Sequence, residues 1–172
     1  MNFNNYETDR LILKPTDQSD APFVFQLMNS PKWIKFIGDR NIHSLQDAEN
    51  YIKQKMDPQL HRLGFGNFTM MLKTDGTKIG SCGLYDREGL EGLDIGFAIM
   101  EAYENNGYAY EASTKVLSLG LNEFGYSKIS AITTKDNYSS QKLIEKLGLS
   151  FKEIIKLPED EEELMLYEIV KD

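Results

Sequence analysis

With 172 residues, 41% of them hydrophobic and 27% charged, the chain has the size and balance of one domain that buries its own core, which excludes a disordered segment. A net charge of -8 disfavours nucleic acid or an anionic membrane as the main partner and is compatible with a cationic or amine-bearing one. Cys82 is the only cysteine and there are two histidines, so no intrachain disulfide forms, a cytoplasmic setting is expected, and no metal site is expected.

Met1 to Arg10 is polar and lacks the apolar core of a signal peptide, and no apolar run is long enough to span a membrane. Arg10 to Lys14 reads as a short strand ended by Pro15. Asp17 or Ser19 can cap the helix that follows, with Pro22 in its first turn and Phe23, Val24, Leu27 and Met28 on its apolar face. Ser30-Pro31 breaks it. Trp33, Ile34, Phe36 and Ile37 form a short helix or turn closed by Gly38; Trp33 and Phe36 serve either as core or as the wall of a substrate cleft. Ser44-Leu45-Gln46-Asp47 resembles a capping box for a helix carrying Ala48, Tyr51, Ile52 and Met56, which Pro58 is expected to stop. His43 and His61 read as surface or loop residues.

Phe65 to Lys73 alternates as a strand, with Phe68, Met70 and Leu72 on one face and Thr69 and Met71 on the other. Thr74-Asp75-Gly76-Thr77 supplies a hairpin turn into Lys78–Tyr85. That segment holds Cys82, whose apolar neighbours mark it as a buried small hydrophobe rather than a nucleophile. Asp86 to Gly92 is a polar connection into Leu93–Ile99, which completes a three-stranded meander.

Next comes the junction around which the chain is organised. Met100 leads through Glu101-Ala102-Tyr103-Glu104-Asn105-Asn106 to Gly107, and a helix then runs from Tyr108 through Val116 and Leu119 to Phe124, where Gly125 ends it. The first turn of a helix carries N–H groups with no internal partner, and the helix dipole adds partial positive charge. A phosphate or diphosphate can dock there. Gly107 has no Cβ to hold it off, and no Lys or Arg lies in the turn, so any anion is expected to be held by main-chain donors; the alternative is that Asn105-Asn106-Gly107 is only a connector. Lys128 to Thr134 reads as a strand parallel to the one before the helix. Asn137-Tyr138-Ser139-Ser140 opens another helix, with Leu143, Ile144 and Leu147 apolar and Gly148 at its end. Two strands close the chain, Leu149 to Lys156 and Glu163 to Val170. The acidic run Pro158 to Glu163 between them reads as a solvated turn.

These stretches together resemble the GNAT superfamily of acetyl-CoA-dependent N-acetyltransferases, of the ribosomal-protein alanine type (RimJ/RimL). The likeness is carried by Glu7-Thr8-Asp9-Arg10-Leu11-Ile12-Leu13, by Asp94-Ile95-Gly96-Phe97, by Gly107-Tyr108-Ala109-Tyr110-Glu111-Ala112, and by Asn137-Tyr138-Ser139-Ser140 followed by Glu145-Lys146-Leu147-Gly148-Leu149. The resemblance implies a mixed α/β (α+β) fold in a single domain over residues 1–172. Its central, mostly antiparallel sheet would have about seven strands with one parallel, splayed pair, flanked by about four to five helices. It also implies that acetyl-CoA is the co-substrate. Phe97, Ala98 and Ile99 would pair with its pantetheine arm. Asn105, Asn106, Gly107, Tyr108, Ala109 and Tyr110 would hold its diphosphate. Asn137 would contact it, and Ser140 would sit near its sulfur.

The acceptor expected from this likeness is a primary amine, on a protein N-terminus or a small molecule, and a homodimer is compatible with it. Asp94 is the candidate to take the ammonium proton, directly or through water, unless it only bonds a neighbouring loop. Ser140 is the candidate to protonate the leaving sulfur, unless it only caps its helix. Transfer is expected to be direct. The sequence departs from the family at Glu104, which puts a negative charge beside a diphosphate, at Asn105, where Gly is common, and at Ile144, where another branch has a Tyr acid. The departures at Glu104 and Asn105 keep open a second reading, a non-catalytic acyl-CoA-binding sensor or interaction module.

Overall fold

The structure is a computed structural model and describes residues 2–172. Its strands are β1 (Tyr6–Glu7), β2 (Leu11–Pro15), β3 (Asn67–Leu72), β4 (Lys78–Asp86), β5 (Leu93–Ile99), β6 (Lys128–Thr134), β7 (Ser150–Ile155) and β8 (Leu164–Val170). The helices are α1 (Ala21–Met28), α2 (Pro31–Phe36), α3 (Leu45–Tyr51), α4 (Asp57–Leu63), α5 (Tyr108–Ser118) and α6 (Tyr138–Lys146). The strands make one sheet of eight in the order β1-β2-β3-β4-β5-β6-β8-β7, the mixed α/β architecture expected. The strand beyond the expected seven is the two-residue β1, where Tyr6 and Glu7 pair with Leu13 and Ile12; it is too short to carry a periodic signal.

By contact the chain divides into two compact units, one made of Met1–Gly83 with Phe97–Ala112 and the other of Leu84–Gly96 with Ser113–Asp172. In the first, β2, β3 and β4 pair antiparallel, and the Asp75-Gly76 turn closes the β3–β4 hairpin with Gly76 at φ 75°. Both faces of β3 are covered: Phe68, Thr69 and Met70 are all buried, so the alternation in its sequence does not mark a solvent face. Asp17 caps the turn before α1, accepting from the Ser19 amide while Asp20 accepts from the Asp17 amide. Ala21, Val24, Met28, Ile42, Ala48 and Ile52 pack into one apolar cluster, with Trp33 of α2 partly buried against it.

Pro58 does not stop the helix that Ser44 begins. A π-helical segment, Ile52–Met56, separates α3 from α4, and Pro58 lies in the first turn of α4. A wide turn there accommodates a residue with no N–H to donate, and the helix continues to Gly64, left-handed at φ 83°. Ser44 accepts from the Asp47 amide as expected, but the Asp47 carboxylate accepts from the amide of His43, one residue before the cap.

In the second unit, β5 and β6 pair in parallel, Leu93 beside Ile129 and Asp94 beside Ser130, as the strand–helix–strand order predicts. β6 lies antiparallel to β8, and β8 to β7. α5 continues through a π-helical segment, Leu119–Glu123, and ends at Gly125 (φ 81°). Gly120 in that segment packs closely: a Cβ there would meet the terminal methyls of Ile129 at 2.5 Å and Leu84 at 2.9 Å, and those side chains would have to move. The acidic run is the solvated turn expected, with Glu161 paired to Lys156 and Glu163 to Lys135.

Candidate active site

The junction before α5 is a loop closed by its own hydrogen bonds. Met100 donates its amide to Ile79 of β4 at 2.8 Å, and a 3₁₀ turn over Glu101–Tyr103 follows. Asn105 then turns left-handed at φ 60°, a conformation asparagine tolerates better than other residues with a Cβ, and Gly107 does so at φ 79°. The Asn106 side chain donates to the carbonyls of Tyr103 and Glu104 at 3.3 and 2.8 Å, which closes the loop on itself. The first helical bond runs from the Glu111 amide to the Gly107 carbonyl at 3.0 Å. Among the described residues, none accepts from the amides of Asn105, Asn106, Gly107, Tyr108 or Ala109. A run of unengaged donors at the N-terminus of an 11-residue helix has the chemistry of an anion cradle.

No cation lies in the turn itself, but the tertiary structure brings one to it. The Arg10 guanidinium donates through Nη1 to the Asn106 carbonyl at 3.0 Å and through Nε to Glu111 at 2.7 Å. It also lies over the Tyr108 ring, 4.3 Å from its centroid. Glu111 accepts in addition from the Thr8 hydroxyl at 2.6 Å and the Arg10 amide at 2.8 Å. Burial opposes ionisation of Glu111, but the bonds from Thr8 and Arg10 outweigh it and hold its carboxyl below the usual range. Thr8, Arg10 and Glu111 all stand in stretches that mark the family likeness, yet sequence alone gives them no role. Only their meeting shows that they brace the loop.

Glu104, whose charge looks unfavourable in the sequence, is paired with Lys32 of α2. Phe97, Ala98 and Ile99 form the end of β5. The backbone passes so close to Gly80 of β4 that a Cβ on Gly80 would strike the Ala98 carbonyl and lie 3.1 Å from the Ile99 Cα. Gly80 is thus a further residue whose role sequence alone does not give; a lone glycine in a strand signals close backbone approach but does not say to what.

In the second unit, Asp94 is 1% exposed and held in a fork by Arg87, with Nε to Oδ1 at 3.1 Å and Nη2 to Oδ2 at 3.2 Å. Burial pushes its carboxyl up, and the charge and hydrogen bonds of Arg87 only partly oppose this. Asn137 is the N-cap of α6, its side-chain oxygen accepting from the Ser140 amide at 3.3 Å. Capping therefore falls to Asn137, and the Ser140 hydroxyl, half-buried, has no partner among the described residues. Cys82 is fully buried. No three His, Cys, Asp or Glu side chains gather as metal ligands among the described residues, and no helix there is long and apolar enough to cross a membrane.

Residues 10–150 match the acetyltransferase (GNAT) domain family. The chain is 26% identical over 151 residues to the uncharacterized N-acetyltransferase YoaA of Bacillus subtilis, covering 87% of this chain and 85% of that one. Its fold superposes on an acetyltransferase from Agrobacterium tumefaciens with a TM-score of 0.83 at 20% identity, over 99% of this chain and 96% of the other. It also superposes on RimL, a ribosomal L7/L12 alpha-N-protein acetyltransferase in complex with coenzyme A, with a TM-score of 0.80 at 15% identity, over 98% and 99% of the two chains.

Proposed function

Because the chain belongs to the acetyltransferase (GNAT) domain family, we propose that it moves the acetyl group of acetyl-CoA directly to a primary amine, on a protein N-terminus or a small molecule. The observation that carries this reading is the run of unengaged amides from Asn105 to Ala109, held open by Arg10. These donors fit a diphosphate: they are main-chain groups, they sit at a helix N-terminus, and Gly107, at φ 79°, has no Cβ and lies close to the Arg10 guanidinium, which a Cβ there would meet at 3.4 Å. Tyr110, the next residue of α5, also contacts the diphosphate in this reading. Acetyl-CoA supplies an activated acetyl thioester. In this reading the main chain of Phe97, Ala98 and Ile99 pairs with the pantetheine arm and orients it. The parallel pairing of β5 at Leu93 and Asp94, ahead of these residues, is consistent with that role.

Two proton movements remain. An amine attacks only when neutral, so its ammonium proton must leave. A buried carboxyl pushed above the ordinary range is a better acceptor than a surface one, which supports Asp94, directly or through water, as the base, with Arg87 fixing its orientation. The thiolate must gain a proton, and the uncommitted Ser140 hydroxyl supports its assignment as the donor. Asn137, on this reading, orients the first turn of α6 and contacts the co-substrate.

The competing reading, an acyl-CoA-binding module without turnover, rests on Glu104 and Asn105. Lys32 neutralises the first and the left-handed turn employs the second, so neither favours loss of activity. Titration calorimetry with acetyl-CoA, followed by a thiol-release assay over a panel of peptides and amines, tests the proposal. Binding with thiol release supports it; binding without release across the panel favours the module; no binding overturns both.

A further inference from the structure

Glu104 is the residue at which the sequence argues against its own proposed function, and the structure gives it a partner. We infer that Lys32 is a positioning residue for the co-substrate: its ammonium group neutralises Glu104 so that a negatively charged diphosphate is tolerated on the adjoining amides. This rests on the function proposed above.

The pair joins α2 to the loop across 72 positions of sequence. The Glu104 side chain is 20% exposed and that of Lys32 57%. The carboxylate is therefore partly screened from water, while the lysine is a surface group whose replacement leaves the core intact. Glu104 directly precedes the unengaged amides, and its own carbonyl accepts from the Asn106 side chain at 2.8 Å. The residue thus belongs to the cradle. An unpaired carboxylate there offsets the positive potential of the helix N-terminus and repels the ligand's charge. An exposed ion pair adds little to stability, so the expected effect of this one lies in ligand affinity.

Coenzyme A binding is measured by calorimetry for the wild type, Lys32→Met, Glu104→Gln, the double variant and Lys32→Arg, with thermal melts showing that each is folded. Lys32→Met is expected to weaken binding about three- to tenfold, less so in high salt. Glu104→Gln is expected to bind at least as tightly as the wild type, the double variant to recover, and Lys32→Arg to retain affinity. If the pair only braced the loop, breaking it from either side would weaken binding alike, and that result overturns the inference. So does a Lys32→Met variant that binds like the wild type. A wild type that fails to bind coenzyme A overturns the proposed function itself, a separate outcome.

Discussion

Arg10 and Glu111, 101 residues apart in the chain, are joined at 2.7 Å, and the same guanidinium holds the carbonyl of Asn106. One side chain thus binds the start of α5 and the loop that precedes it. Arg10→Met is expected to free that carbonyl, disorder the amides behind it and weaken coenzyme A binding about tenfold, as loss of a charge-assisted bond implies. Calorimetry measures this, and undiminished affinity would remove Arg10 from the cradle.

The same pair sets an acid limit on stability. The Glu111 carboxyl is held below its ordinary value near 4.5. A carboxyl lowered on folding stabilises fully above its unfolded value, and that contribution is lost as pH falls through the folded value. The wild-type melting temperature is expected to drop below about pH 4.5 more steeply than that of Glu111→Gln, and parallel curves would contradict the assignment.

Gly80→Ala tests the end of β5. A methyl group there strikes the Ala98 carbonyl, so the backbone of Ala98 and Ile99 must shift. Affinity for acetyl-CoA is expected to fall about tenfold or more, since main-chain pairing depends on strand position. A control at Gly64, where a Cβ meets nothing but φ is 83°, is expected to lower stability and spare affinity.

Asp94→Asn is expected to lower turnover near neutral pH by about a hundredfold or more, with little loss of acetyl-CoA affinity. The acid limb of the rate profile in the wild type should lie above the ordinary aspartate range, because burial raises this carboxyl. Unchanged turnover would assign Asp94 to the Arg87 pair alone.

Asn137 and Ser140 separate capping from chemistry. Asn137→Ala removes the cap of α6 and is expected to cost about 1 kcal/mol of stability, read from denaturant unfolding. Ser140→Ala leaves that bond in place, because it uses the Ser140 amide. It is expected to slow turnover without lowering stability. Full activity in Ser140→Ala would leave the sulfur to another proton source.

Much of the chain was legible from local chemistry. Asp75-Gly76 forces a hairpin, Gly125 and Gly148 end helices, and the small-residue turn at Gly107 opens α5, because each depends on neighbours a few residues away. The amides of the cradle belong to this class, since a helix start leaves donors unpaired wherever it lies. Pro58 shows the reverse: a missing N–H predicts a break, and only the folded backbone reveals the π-helical segment that precedes it and lets the helix continue.

The sequence by itself determined the order of elements, the site of the unpaired amides and the family likeness, all of which follow from spacing and side-chain type. Tertiary structure alone decided the partners of the charges: Arg10 with Glu111, Lys32 with Glu104, Arg87 with Asp94. The physical reason is range. A hydrogen-bonding pattern repeats over a few residues and leaves a trace in the sequence, whereas an ion pair needs only that two side chains meet in space.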